Sequence, residues 1–224
     1  MPVHLLLGFF LALLPKNDAP SSETPAGLFV MTEEMATVWD EPPGALPSEV
    51  EAGIVTRARE EVERGVVYDR SYRFGEVPED RGACTDVVIR ALRAVGVDLQ
   101  ALVVDDMRAA PEAYKRPIDR HGDYRRVAVL SVYFERHARA IASDLSEPSL
   151  FRPGDIVFTS PRKPCKPRRP CAATHVALIS DRIGPRGLPL VIQNGGPVAT
   201  ESDVLTEKTV LVAHYRVRWN DATK

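Results

Sequence analysis

An α+β domain, with helices first and a mostly antiparallel sheet afterwards, is the fold class this sequence predicts. Between residues 48 and 142 the apolar residues recur at helical spacing, in runs bounded by caps and glycines. From Phe151 onward the pattern changes to short β-rich runs punctuated by Gly and Pro. The composition, 44% hydrophobic and 27% charged over 224 residues, suits one folded unit with a real core, assigned here to residues 48–220.

Each element has a local reason. Ser48 with Glu51 three residues on forms a capping box, and Val50, Ile54, Ala58 and Val62 then share a face until Gly65 stops the first helix. After a loop bearing Tyr68, Tyr72 and Pro78, residues 82–96 place Cys84, Val88, Ala91 and Val95 on one face of a second helix. Asp98 is positioned to cap a third helix running to about Met107, and 127–142 reads as a fourth, with Leu130, Phe134 and Ala138 in line. The strands are expected at 155–159, 174–180, 188–193 and 209–219.

The ends read differently. Leu5 to Leu14 is uncharged, almost wholly apolar and followed by Pro15 and Lys16, like the core of a secretory signal, so 1–20 is read as a signal peptide and the chain as exported. Residues 21–47 read as a proline-rich linker or arm. No apolar run reaches the ~18 residues of a membrane span. With 29 basic against 31 acidic residues, the chain lacks the overall positive charge of a nucleic-acid binder.

Three cysteines divide as two plus one. Prolines 161, 164, 167 and 170 recur every third residue around Cys165 and Cys171. A polyproline helix would hold those cysteines roughly 19 Å apart, whereas a disulfide needs Cα atoms about 4.4–6.8 Å apart. The two readings exclude each other. A disulfide closing a turn at Pro167 is favoured in an exported chain. A third reading, zinc on Cys165, Cys171 and His175 with a distant residue such as His214, has irregular spacing, and no metal site is assigned. Cys84 is left as a free thiol.

That thiol lies where chemistry is favoured. A cysteine in the first turn of a helix faces unsatisfied N–H groups and the positive end of the macrodipole, which lower its pKa and can also hold an oxyanion. His175 opens the apolar strand His-Val-Ala-Leu-Ile, where it can serve as the base. On the next strand Gln193 or Asn194 can hold the second ring nitrogen. Singly, each has a plainer explanation: a buried core thiol, a structural histidine, a turn.

Order and spacing together are more specific. The segments 82–91 (Gly82-Ala-Cys84-Thr-Asp), 152–158 (Arg152-Pro-Gly-Asp-Ile), 174–181 (Thr174-His175-Val-Ala-Leu) and 191–194 (Val191-Ile-Gln-Asn194) resemble the NlpC superfamily of papain-like cell-wall cysteine hydrolases. More narrowly, the chain resembles the exported bacterial family called domain of unknown function 1287 from about Tyr68 to Arg216, including Asp105-Asp-Met107, Asp123-Tyr-Arg-Arg-Val127 and His214-Tyr-Arg216. The resemblance implies a papain-like fold with the nucleophile helix packed on the sheet. It implies Cys84 as nucleophile, His175 as base and Gln193 as the orienting residue, without a cofactor. The implied substrate is an amide, in peptidoglycan stem peptides or another peptide-bearing envelope polymer. Relatives commonly carry His at the third position. Gln can still orient an imidazole, but it cannot take a charge. A non-catalytic envelope-binding module on the same scaffold is the alternative.

Secondary residues complete the expectations. Asp86 is read as a helix cap or a contact for substrate amines, capping being favoured, and Asn194 as a substrate contact beside Gln193. Arg125 and Arg126 can bind stem-peptide carboxylates or stand solvated. Tyr68 and Tyr72 can line a cleft. Asp155 is read as fixing the turn into a strand, and the basic stretch 161–170 as either an attractor for an anionic polymer or a solubilising loop. His121, His137 and His214 are rival bases, none of them opening an apolar strand.

Overall fold

The computed structural model describes residues 49–71, 77–115, 117–119, 123–160, 172–206 and 208–217. The signal-like segment, the linker, Tyr72, His121 and the pair Cys165 and Cys171 lie outside them.

Helix α1 (Glu49–Glu63) buries Val50, Ile54, Val55 and Ala58, the face that the spacing predicts. It ends in a Schellman arrangement: Val66 N–H donates to Glu61 O and Gly65 N–H to Val62 O, with Gly65 at φ +63°. Two residues later β1 (Val67–Tyr68) pairs in parallel with β2 (Arg81–Gly82), a pair the sequence pattern does not disclose. Helix α2 (Cys84–Ala94) follows at once, fully buried along most of its length. Asp98 accepts from the N–H groups of Gln100 and Ala101 at 3.0 and 3.2 Å and so caps α3 (Leu99–Ala109), as its position predicts. The short α4 (Pro111–Tyr114), a 3-10 turn at Asp123–Arg125 and α5 (Val127–His137) complete the helical half. Helix α5 stops five residues before the expected 142, because Ala138 turns extended and Arg139–Ala140 become an edge strand, β3.

Six strands form one antiparallel sheet in the order β3-β8-β4-β5-β6-β7. Strands β4 (Ile156–Ser160), β5 (His175–Ile183), β6 (Pro189–Gln193) and β8 (Val210–Arg216) fall where the β-rich runs predict, and β7 (Thr200–Ser202) is additional. Alternation assigns the faces. Ile156, Phe158, Val176, Leu178 and Ile192 join Val87, Val88 and Leu92 of α2 in the main core. On the opposite face Val157, Ala177, Ile179, Val191 and Leu205 form a second, smaller core. Strand β5 is therefore apolar on both sides and cannot slip register without exposing one core, which fixes its first residue, His175, opposite Thr159 of β4. Helices packed on an antiparallel sheet make this an α+β fold. Among the described residues no helix is long and apolar enough to cross a membrane.

Candidate active site

Three buried contacts set the entry into α2. Arg90 lies under β2, donating to Arg81 O at 2.6 Å and Pro78 O at 3.1 Å while pairing with the fully buried Glu61 of α1 at 2.9 Å. At Gly82 an added Cβ would lie 2.8 Å from Asp86 Cβ and 3.0 Å from an Arg90 nitrogen, so the chain passes there only without a side chain. Asp86 Oδ2 accepts from the N-cap Ala83 N–H at 2.7 Å, which makes it the cap of the helix that Cys84 opens.

Asp86 has a second task. Arg125 grips both its oxygens, at 2.7 and 2.9 Å, with the two side chains 2% and 3% exposed, and also donates to Ser71 O at 3.3 Å. Thr85 Oγ1 donates to Arg125 O at 3.0 Å. The first turn of α2 is thus bolted to the 3-10 turn. Neither Asp86 nor Arg125 faces outward, which corrects their assignment as substrate contacts. A charge pair this deep is retained only when both partners are satisfied internally.

Cys84 itself is 8% exposed. Burial pushes its thiol above the ordinary value, and the Asp86 charge adds to this. The backbone N–H groups of Val176, Thr85 and Cys84 itself work the other way, and burial outweighs them. The expectation of a thiolate favoured by the helix terminus is therefore reversed in this conformation. Among the influences that lower the thiol pKa, the one from the sheet is the backbone of Val176, the residue after His175.

His175 is half-buried at the start of β5. Its Nε2 lies 2.5 Å from Gln193 Oε1. An amide oxygen only accepts, so Nε2 carries the hydrogen and Nδ1 is left with the lone pair. Burial lowers the imidazole pKa and the Gln193 contact partly restores it, leaving the ring neutral near pH 7. Among the described residues no hydrogen bond joins thiol to imidazole. By alternation His175 and Gln193 share the sheet face of Val157, Ala177 and Val191, whereas Val176 beside the sulfur faces α2. An open cavity of about 490 Å³ begins at His175 and Gln193 and extends over that outer face.

The loop after β6 is tied to β1. Asn194 is fully buried, its Nδ2 donating to Val66 O at 3.0 Å and its Oδ1 accepting from Gly196 N–H at 3.3 Å, so its part is structural and its assignment as a substrate contact is corrected. Tyr68 N–H donates to Pro197 O at 2.9 Å, and its ring lies against Gly196 while remaining 38% exposed. Tyr68 thus presents an aromatic surface beside the Gln193 loop.

The two rival histidines among the described residues, His214 and His137, are occupied. His214 is buried, with Nε2 2.8 Å from Asp155 Oδ2 and its ring stacked on Phe151. Asp155 also takes two bonds from Arg216 at 2.8 Å and one from Arg152 N–H at 2.9 Å, so it joins the Arg-Pro-Gly-Asp turn to the His-Tyr-Arg strand instead of merely shaping the turn. His137 pairs with Asp106 at 2.9 Å. Arg126 reaches Asp123 and Asp119 at 3.4 and 3.8 Å. No group of acidic, His or Cys side chains among the described residues is arranged to hold a metal ion. Sequence reasoning missed the cavity, whose residues come from four separated segments with no common motif.

Comparison with known proteins follows the same boundaries. A family model described as "Domain of unknown function (DUF1287)" matches residues 55–217. A protein of Escherichia coli (strain K12), described as "Uncharacterized protein YijF", is 38% identical over 174 residues, covering 73% of this chain and 80% of that protein. Among solved structures, NlpC1 and NlpC2 from Trichomonas vaginalis align with 80% and 78% of this chain at 13% and 15% identity, each with a TM-score of 0.44. The chain spans about half the length of these two, 48% and 50%.

Proposed function

The chain belongs to the family described as domain of unknown function 1287, and for this member we propose an exported cysteine hydrolase that cleaves an amide in a peptide-bearing envelope polymer, peptidoglycan stem peptides foremost. One observation carries the reading. Cys84 opens a helix that packs on the sheet, and strand β5 of that sheet begins with His175, an imidazole whose Nε2 is engaged by Gln193 and whose Nδ1 keeps its lone pair. Those are the three parts that thioester chemistry requires.

The resting pair is neutral, so the proton must move as the sulfur attacks. Cys84 Sγ bonds to the carbonyl carbon while His175 Nδ1 takes the thiol proton, and the carbonyl π pair moves onto oxygen. The backbone N–H groups of Cys84 and Thr85, which act on the sulfur at rest, turn to that oxyanion. On collapse the C–N bond breaks, its electron pair stays with nitrogen, and the imidazolium returns the proton to it. Water then repeats the sequence on the thioester. Contacts between nucleophile and base of this kind tighten when substrate excludes water. Gln193 keeps the ring in its Nε2–H tautomer throughout. The apolar run Leu5–Leu14 supports export, and the close pair Cys165 and Cys171 supports a loop disulfide in that compartment.

A second reading is favoured by the buried thiol: a binding module that keeps the scaffold without turnover. Digestion of purified peptidoglycan by wild type and Cys84→Ala, with mass spectrometry of released fragments and co-sedimentation in parallel, separates them. Cys84-dependent fragments support the hydrolase. Equal co-sedimentation without fragments from either protein supports the module.

A further inference from the structure

Resting on the hydrolase reading for the role of His175, we propose that the 490 Å³ cavity is a binding site for a free short-chain carboxylate, whose charge acts on the imidazole from behind through the Gln193 amide. The cavity lies on the sheet face away from α2, so its occupant touches neither Cys84 nor the atoms that react. It meets the Gln193 side of the ring instead.

The polar groups there call for an acceptor. Gln193 commits its Oε1 to His175 Nε2–H at 2.5 Å, and among the described residues nothing accepts from its amide nitrogen. That nitrogen carries two N–H donors on a half-buried side chain lining the cavity. Thr159, opposite His175 on β4, and Thr174 add hydroxyls. Among the described residues no acidic side chain lines the cavity, and its one cation is Lys208, exposed and without an ion-pair partner. Between Ser160 and Thr174, both on the lining, the sequence carries Arg162, Lys163, Lys166, Arg168 and Arg169 and no acidic residue, so the local charge favours an anion. Val157, Ala177, Val191 and Leu205 make a floor continuous with the smaller core, which suits a short apolar body on that anion.

The effect on the ring follows from polarisation along the hydrogen bonds. A carboxylate that accepts from Gln193 Nε2–H makes Oε1 a stronger acceptor for His175 Nε2–H, which favours the imidazolium. Burial and Gln193 govern the ring at rest, burial lowering its basicity and the amide partly restoring it. The elements around it bring the Cys84 thiol and the Arg125-bound Asp86 on α2, Tyr68 against the loop after β6, and Lys208 from the cavity side. The bound anion thus supplies the charge that a glutamine at this position lacks, and eases passage of the thiol proton to Nδ1.

Nuclear magnetic resonance of the full chain tests this at constant ionic strength, with butyrate as the probe and butyramide as its neutral counterpart. The His175 Cε1–H signal is the one that His175→Gln removes. Saturating butyrate should raise its titration midpoint by about half a pH unit, about threefold in imidazolium, the size of one charge an amide away in an open site. Butyramide should leave the midpoint in place. Lys208→Ala should weaken butyrate binding about threefold, and Gln193→Leu should keep the binding while losing most of the rise. Equal affinity for butyrate and butyramide, or an unmoved midpoint at saturating butyrate, overturns the proposal. None of these readings depends on turnover. Peptidoglycan digestion that stays blank with and without butyrate overturns the hydrolase and leaves the anion site standing without its catalytic purpose.

Discussion

Replacing Arg125 by Met separates the forces that hold the start of the Cys84 helix. The substitution keeps much of the side-chain volume and removes two charge-assisted bonds, at 2.7 and 2.9 Å, from a carboxylate that is 3% exposed. Asp86 then keeps its Ala83 N–H but loses its counter-charge in a buried site. Breaking one partner of such a pair costs about 3–5 kcal/mol. At roughly 2–4 °C per kcal/mol for a domain of this size, the melting temperature should fall by about 6–20 °C. The thiol responds as well. Asp86 already disfavours the Cys84 thiolate, and without Arg125 its charge acts uncompensated, so iodoacetamide alkylation at fixed pH should slow. Thermal unfolding followed by circular dichroism and alkylation followed by intact mass provide the two readouts. Adding Asp86→Leu to Arg125→Met should recover part of the lost stability. A single Arg125→Met variant that melts within about 2 °C of wild type would refute the reasoning.

Other outcomes follow from the same geometry. Because burial raises the Cys84 thiol, alkylation of resting protein should still be increasing with pH beyond the value where an ordinary thiol levels off, and a plateau near neutrality would contradict the buried site. Burial opposes ionisation of Asp106, yet Arg136, Tyr114 and His137 hold it at about 2, below the ordinary 3.8. Its contribution, on the order of 2 kcal/mol, is complete above the unfolded value and disappears as pH falls toward 2. Urea unfolding of Asp106→Asn should therefore show that deficit at pH 7 and approach the wild-type curve near pH 2. Asn194→Ala removes one of the two donors on Val66 O, leaving Ala199 N–H at 2.9 Å, and should cost about 0.5–1.5 kcal/mol in the same assay.

How much of this was legible in the residues divides by the range of the cause. Helix starts at Asp98 and Cys84, the stop at Gly65 and the four main strands are set by local caps and periodicity, and the structure has them within a few residues of the expected positions. The pairing of Cys84 with His175 was proposed from chain order and from the likeness of the motifs. Burial was not. Asp86, Arg125 and Asn194 look like surface polar residues because Asp86 and Arg125, which pair with each other, stand 39 positions apart, and their other partners, Ala83, Ser71 and, for Asn194, Val66, are backbone groups that any sequence possesses. The reversed thiol has the same origin: a helix terminus argues for the thiolate, and only three-dimensional packing reveals that burial outweighs it. The β1–β2 pair is two residues long on each side, too short for any periodicity to register.

The imidazole and the sulfur are carried by different kinds of glue. His175 is the end of a strand wedged between two oily layers, whereas the entry to the Cys84 helix is strapped down by Arg125–Asp86 and Arg90–Glu61. Grease tolerates many replacements, and salt links between buried groups tolerate few. Sequence drift in such a molecule would slacken the entry to the Cys84 helix long before it disturbed the groove beside the ring.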